Sequence, residues 1–206
     1  MKQKYIILVI LLLLGVFGYG QQFKGGFVGG ITATQVSGDR LSGPDKGGVC
    51  FGPFINLEIN KRSSLQMELT FVQKGSRRNP DSLSNYSYLL RLNYMEIPVH
   101  YIYRHSEKFS FETGLSYAVR VSSYEAINGY ENEAGDYPFE NRDVSFNIGL
   151  YYHINDRMKV NVRYSNSVLH IRKHKSGTSS TFNKGQYNEV ILLSLQYEIK
   201  QLFGVN

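Results

Sequence analysis

The chain has 206 residues, a single cysteine (Cys50), no tryptophan and a formal net charge of +6. One cysteine excludes a disulfide framework and a cysteine-built metal site. The basic excess is small and dispersed, which gives no electrostatic footprint for nucleic acid.

The N-terminus has the layout of an export signal. Lys2 and Lys4 precede the apolar run 6–14, and Gly18 and Gly20 suit cleavage before Gln21. That run is short for a bilayer-spanning helix, which needs about 20 apolar residues. Residues 1–20 are therefore expected to be a secretory signal peptide, and 21–206 one β-barrel domain. Without Lys2 and Lys4 the 23 basic residues become 21, against 17 acidic, a mature charge of +4.

From residue 23 onward the hydrophobic period is two. Segment 23–35 sets Phe23, Phe27, Ile31 and Ala33 on one face, with glycines that let a barrel wall bend. After the turn-rich loop 36–46 comes a hairpin. Val49, Phe51, Pro53, Ile55, Leu57 and Ile59 in its first arm match Leu65, Met67, Leu69 and Phe71 in its second. Side chains alternate faces along a strand, so each arm has one apolar and one polar side. The polar loop 76–89 leads to a fourth strand, 90–104, with Met95, Ile97, Val99, Tyr101 and Tyr103 on its apolar face and an irregularity expected at Pro98.

A fifth strand follows from Phe109, alternating Phe111, Leu115, Tyr117 and Val119 with Ser110, Glu112, Gly114 and Ser116. Loop 124–142 comes next, then strands over 143–154 and 158–165. The basic loop 172–186 precedes a last strand carrying Ile191, Leu193, Leu195, Tyr197 and Ile199. The pattern predicts an all-β, eight-stranded antiparallel up-and-down transmembrane β-barrel. Short connections near 61–63, 105–107 and 155–157 alternate with long ones at 36–46, 76–89, 124–142 and 172–186. That alternation is the outer-membrane arrangement of periplasmic turns and extracellular loops.

Three-residue turns would set Ile59 against Leu65, Tyr101 against Phe111 and Leu150 against Val162. Which face meets lipid is decided by three features. The polar face is rich in Gly, Ser, Asn and Thr with charges of both signs, as a narrow filled interior requires. Tyr and Phe gather at strand ends as interfacial girdles, with Phe23, Tyr101, Tyr103, Phe109 and Tyr152 at one end. A soluble lipocalin-type barrel has the reverse polarity, and it normally carries a tryptophan that this chain lacks.

The polar face collects Glu58, Glu68, Glu96, Glu112 and Glu198 with Lys74, Arg91, Arg120, Lys159 and Arg163. The assumed registers put His100 beside Glu112 and Asn56 beside Glu68. Buried charges need partners, so a paired network plugging the interior is expected; the alternative is a polar conduit or proton-handling cluster. The long loops differ in sign: 125–143 is acidic, while 172–184 carries Arg172, Lys173, Lys175 and Lys184. They are expected to attract each other over the barrel mouth; the alternative is docking of a partner or of anionic lipopolysaccharide sugars. His100, His105, His153, His170 and His174 are scattered, and the spacing imposes no Ser–His–acid set. No catalytic, cofactor-binding or metal-binding residues are expected.

The stretches LQMELTFVQKG (65–75), LNYMEIPVHYIY (92–103) and FETGLSYAV (111–119) resemble the PorT-like outer-membrane β-barrel family of Bacteroidota, most specifically at Tyr94-x-Glu96-Ile97-Pro98. The resemblance implies an eight-stranded barrel in the cell outer membrane, and its namesake takes part in protein secretion across that membrane. The expected partners are outer-membrane lipids, lipopolysaccharide and secretion-system or envelope proteins. The reading is a non-enzymatic structural, envelope or secretion-accessory protein; the alternative is narrow porin-like transport, and a lipid A-modifying enzyme ranks third.

Overall fold

The computed structural model describes residues 23–39, 41, 43–80, 85–132, 138–173 and 185–203, and all their regular structure is β. The signal-peptide expectation lies outside these residues, as do Lys175 and Lys184 of the basic loop. Eight long strands run in chain order: β1 (Phe23–Ser37), β2 (Lys46–Asn60), β3 (Ser63–Glu68, resuming after Leu69 as Thr70–Arg78), β4 (Tyr88–Arg104), β5 (Phe109–Ile127), β6 (Arg142–His153), β7 (Met158–Ser167) and β8 (Gly185–Phe203). Each is antiparallel to its predecessor, and β8 pairs back onto β1 from Ser37↔Tyr187 to Phe23↔Phe203. The sheet closes and leaves no edge, as a lipid-immersed sheet must.

The registers fix the barrel's shape. Stepping from Gly25 through Ile55, Met67, Val99, Leu115, Phe146, Asn166 and Glu189 returns to β1 at Gln35, a stagger of ten residues. Ten residues over eight strands correspond to a strand tilt of about 40–45°, at the upper end of the usual range. A barrel of eight strands encloses room for side chains and little more.

The apolar residues point out. Phe27, Ile31, Phe51, Leu115, Ile148 and Val162 are each 50–62% exposed, while Asn147, Asn161, Gln66 and His100 are almost fully buried. In water a monomer rarely shows a contiguous apolar patch beyond a few hundred Å². A belt of this kind around the whole wall needs hydrocarbon as its solvent. The polarity is that of a transmembrane barrel.

Two of the three assumed turn registers are corrected. Leu65 faces Leu57 rather than Ile59, because Asn60 Oδ1 accepts from the Arg62 amide at 2.9 Å, the turn tightens to pair Asn60 with Ser63, and an irregularity between Glu58 and Asn60 adds a second residue of shift. Phe111 faces Tyr103 rather than Tyr101, because His105 and Ser106 both donate their amides to Phe109 O and lengthen the turn. Leu150 does face Val162. Both errors are two residues, so every side chain keeps its face. Pro98 pairs with Ser116 without a register shift; the shift in that ladder falls at Asn93/Tyr94.

The interval 124–142 is not wholly loop. β5 continues to Ile127, and Tyr130–Glu131 folds back on its end through Asn128 (φ 51°) and Gly129 (φ 82°). Positive φ at both central residues is the type I′ hairpin signature, and Asn-Gly is its preferred sequence.

Candidate functional site

The interior is built by pairing large side chains with absent ones. On the inward faces of β4, β5 and β6, His100 lies opposite Gly114 and Glu112 opposite Gly149, which in turn faces Arg163 on β7. A Cβ on Gly114 would come within 2.8 Å of the His100 ring, and one on Gly149 within 2.3 Å of Glu112 Oε1. These two glycines hollow the wall for the charged groups. A Gly149→Val variant is expected to lose about 1–3 kcal/mol by overpacking, seen as a lower urea midpoint when folded and unfolded barrels are separated by gel mobility. Gly47→Val, where nothing lies within 4 Å, is the near-neutral control.

Arg163 occupies the centre. It takes Glu68 in a bidentate pair (Nη2–Oε1 2.7 Å, Nη1–Oε2 3.1 Å) and Glu112 in another (Nε–Oε1 2.8 Å, Nη2–Oε2 3.1 Å). Guanidinium geometry suits this fork-to-fork contact, and lysine could not replace it. His100 Nδ1 sits 3.5 Å from Glu112 and 3.7 Å from Glu68. Gln66 and Asn161 donate to the same carboxylates at 2.9 Å, and Gln196 donates to Tyr151 Oη at 3.0 Å. Two carboxylates therefore share one guanidinium.

Toward the long-loop end Lys74 bridges Glu96 at 2.8 Å and Asp143 at 3.1 Å, with its ammonium 5.2 Å from the Tyr94 ring centre. Asn188 and Ser167 complete the Asp143 carboxylate at 2.9 and 2.7 Å. A cavity of about 20 Å³ lies between this group and Arg163, which is room for about one water. Above it Leu90, Leu92, Tyr94, Phe139 and Ile171 form an apolar plug inside the wall. At the mouth Arg172 joins Glu125 at 3.0 Å and stacks over Phe139 at 4.4 Å, so the acidic and basic loops do meet there. At the short-turn end Lys24 pairs with Glu58 (2.6 Å) and Glu198 (3.5 Å), and Lys159 with Glu198 (3.0 Å), around a vestibule of about 70 Å³.

The structure brings Glu58, Glu68, Lys74, Glu96, His100, Glu112, Lys159, Arg163 and Glu198 into the lumen or its short-turn mouth. Two assignments change. Arg91 points outward and is exposed, because Leu90 and Leu92 on either side of it fill the plug. Arg120 is turned to the rim, where it donates to Phe139 O at 3.0 Å and Asn141 Oδ1 at 2.8 Å instead of joining the acids. Asp143 moves the other way, from the acidic loop into the lumen. Its parity with Ser145 and Asn147 was the available signal.

Ser110 Oγ does lie 2.7 Å from His153 Nε2. Ser110 is buried, and among the described residues no carboxylate bonds the His153 ring, so the pair lacks the third group that orients a catalytic base. Among the described residues no group of three His, Cys, Asp or Glu could hold a metal ion.

A model of the outer membrane protein beta-barrel domain family matches residues 19–173. The chain belongs to that family. It is accordingly a barrel of the outer membrane, in keeping with its apolar belt. Among solved structures it is similar to Neisserial surface protein A, at 10% identity and a TM-score of 0.50 over 87% of this chain and 99% of that one. The attachment invasion locus protein Ail of Yersinia pestis, solved with the heparin analogue sucrose octasulfate, matches at 14% identity and a TM-score of 0.48 over 86% and 99%. OprG from Pseudomonas aeruginosa matches at 11% identity and a TM-score of 0.36 over 87% and 95%. No curated protein matches the chain at a significant level.

Proposed function

We propose that this family member is a sealed, non-enzymatic outer-membrane anchor with a structural, envelope or secretion-accessory role of the PorT-like kind. Its leader 1–20 is removed on export, its short turns face the periplasm and its long connections face the cell exterior. There they meet lipopolysaccharide and envelope or secretion proteins. The observation that carries this reading is the filled lumen, in which one guanidinium closes the centre against two carboxylates and an apolar plug stands above it. A path for solute would have to break both. Among the described residues the serine–histidine pair has no acid bonded to its imidazole, which leaves the enzyme reading without an oriented base.

The test is electrical. Protein reconstituted in a planar bilayer is expected to give no ion-current steps. Glu96→Ala is expected to lower stability by about 1–3 kcal/mol, by stripping Lys74 of one buried partner, and still to give none. Steady conductance in either protein would replace this reading with the porin-like one.

A further inference from the structure

The outward turn of Arg91 changes what the wall presents. Passing up the outer face toward the long-loop end, β3 shows Leu69, Phe71, Gln73 and Arg77, with the buried Gly75 between the last two, and β4 shows Ile97, Met95, Asn93 and Arg91. The surface passes from hydrocarbon through amides to guanidinium within three outward positions, the order of a hydrocarbon–headgroup boundary. Arg91 faces Gly75 on one side and Tyr124 on the other. Gly75 presents no side chain to cover it, and Tyr124 is an exposed ring. Arg77 lies two residues beyond Gly75 and is therefore diagonal to Arg91, with Cβ atoms roughly 7–8 Å apart. One phosphate group fits between two guanidinium forks at that spacing.

Nothing described neutralises these charges. Arg77 reaches only Asn79 Oδ1, at 2.8 Å, and among the described residues no carboxylate pairs with Arg77 or Arg91. Lys46, next to Gly75 on the inner side and 3% exposed, finds only Gly47 O at 3.5 Å. Three cations thus gather around one glycine, and among the described residues none of the three has a carboxylate in an ion pair with it. Across the barrel, the outward Glu189 of β8 is already bonded to Gln35.

We propose that Arg77 and Arg91, backed by Lys46, form a headgroup site for a phosphorylated lipid of the leaflet around the long loops. The lipid's phosphate sits between the two guanidiniums and its acyl chains run down past Phe71 and Met95. The lipid's identity as lipid A rests on the orientation proposed above; the phosphate chemistry does not.

The experiment titrates the detergent-solubilised barrel with three probes, diphosphorylated lipid A, the same lipid without phosphates, and inorganic phosphate, and reads the bound fraction by native mass spectrometry. Diphosphorylated lipid A is expected to bind, and the other two not to. The Arg77→Gln/Arg91→Gln double variant is expected to bind it about 30-fold more weakly, each arginine near an anionic surface contributing about one kcal/mol. Arg62→Gln, at the opposite rim, should bind as the parent does. Both side chains point away from the lumen, so the double variant should keep the parent's gel mobility when folded; if it does not, Arg91→Gln alone is titrated and should be about fivefold weaker. Equal binding of the dephosphorylated lipid, inorganic phosphate bound as well as the lipid, or undiminished binding by the variants overturns the site. Labelling of an Asn79→Cys variant on intact cells reports orientation separately, so a reversed barrel is distinguishable from a missing site.

Discussion

Replacing Arg163 with methionine is expected to destabilise the folded barrel by about 3–5 kcal/mol, the usual consequence of stripping a buried charge of its partner. The reason is the double fork. Glu68 and Glu112 are 1% and 2% exposed, and each takes two contacts from the one guanidinium. Without it two carboxylates stand close together in the lumen, with Gln66, Gln196, Asn161 and His100 among their remaining partners. One of them must then take up a proton or the cluster must open. Urea titration in lipid vesicles, with folded and unfolded barrels separated by gel mobility, would give the change in midpoint. The companion variant decides the cause. In a Glu68→Gln/Glu112→Gln background the same Arg163→Met change should cost far less, because neutral amides can be satisfied by one another. A full-size loss in both backgrounds would mean that the side chain matters for its volume and not for its charge.

Alternation made most of this legible, and its failures are local. A strand's period of two separates lipid from lumen wherever the wall has hydrocarbon outside and polar groups inside, as along Phe109 to Val119. At the long-loop end both conditions lapse. The outside is headgroup and water, which welcomes Arg91, while the inside is an apolar plug that takes Leu90, Leu92 and Tyr94. Reading polar as inward therefore inverted Arg91 there. The turn registers failed for a different reason: Asn60 and Ser106 cap their own turns through side-chain bonds, at 2.9 and 3.1 Å, and the turns, with a bulge at Glu58/Asn60 in the first, shift the pairing by two residues each. The partners of Arg163 could not be read because they come from β3 and β5 while Arg163 itself is on β7, strands that only the closed barrel brings together. The Asn128-Gly129 turn was readable from its dipeptide alone.

Leu193→Arg is expected to cost the barrel about 2–4 kcal/mol in a bilayer, the price of an arginine on the lipid face near the midplane. Leu193 is 47% exposed, with Ile31 on β1 and Val162 on β7 as its outward cross-strand neighbours. By exposure alone it is a surface residue. On a water-soluble barrel such a substitution, away from any special feature, would fall within about 0.5 kcal/mol of neutral. The size of the effect therefore reads out the solvent on that face. The contrast within the protein is Tyr187→Arg, at the headgroup end of the same strand, where depth no longer penalises charge and about 0–1 kcal/mol is expected. A large cost at 193 that falls away at 187 would place hydrocarbon against the middle of β8 and a polar interface at its long-loop end, the same boundary that the arginines of β3 and β4 mark on the other side of the barrel. Equal small costs at both positions would mean water along the whole strand, and the outward apolar belt would then need another partner to cover it.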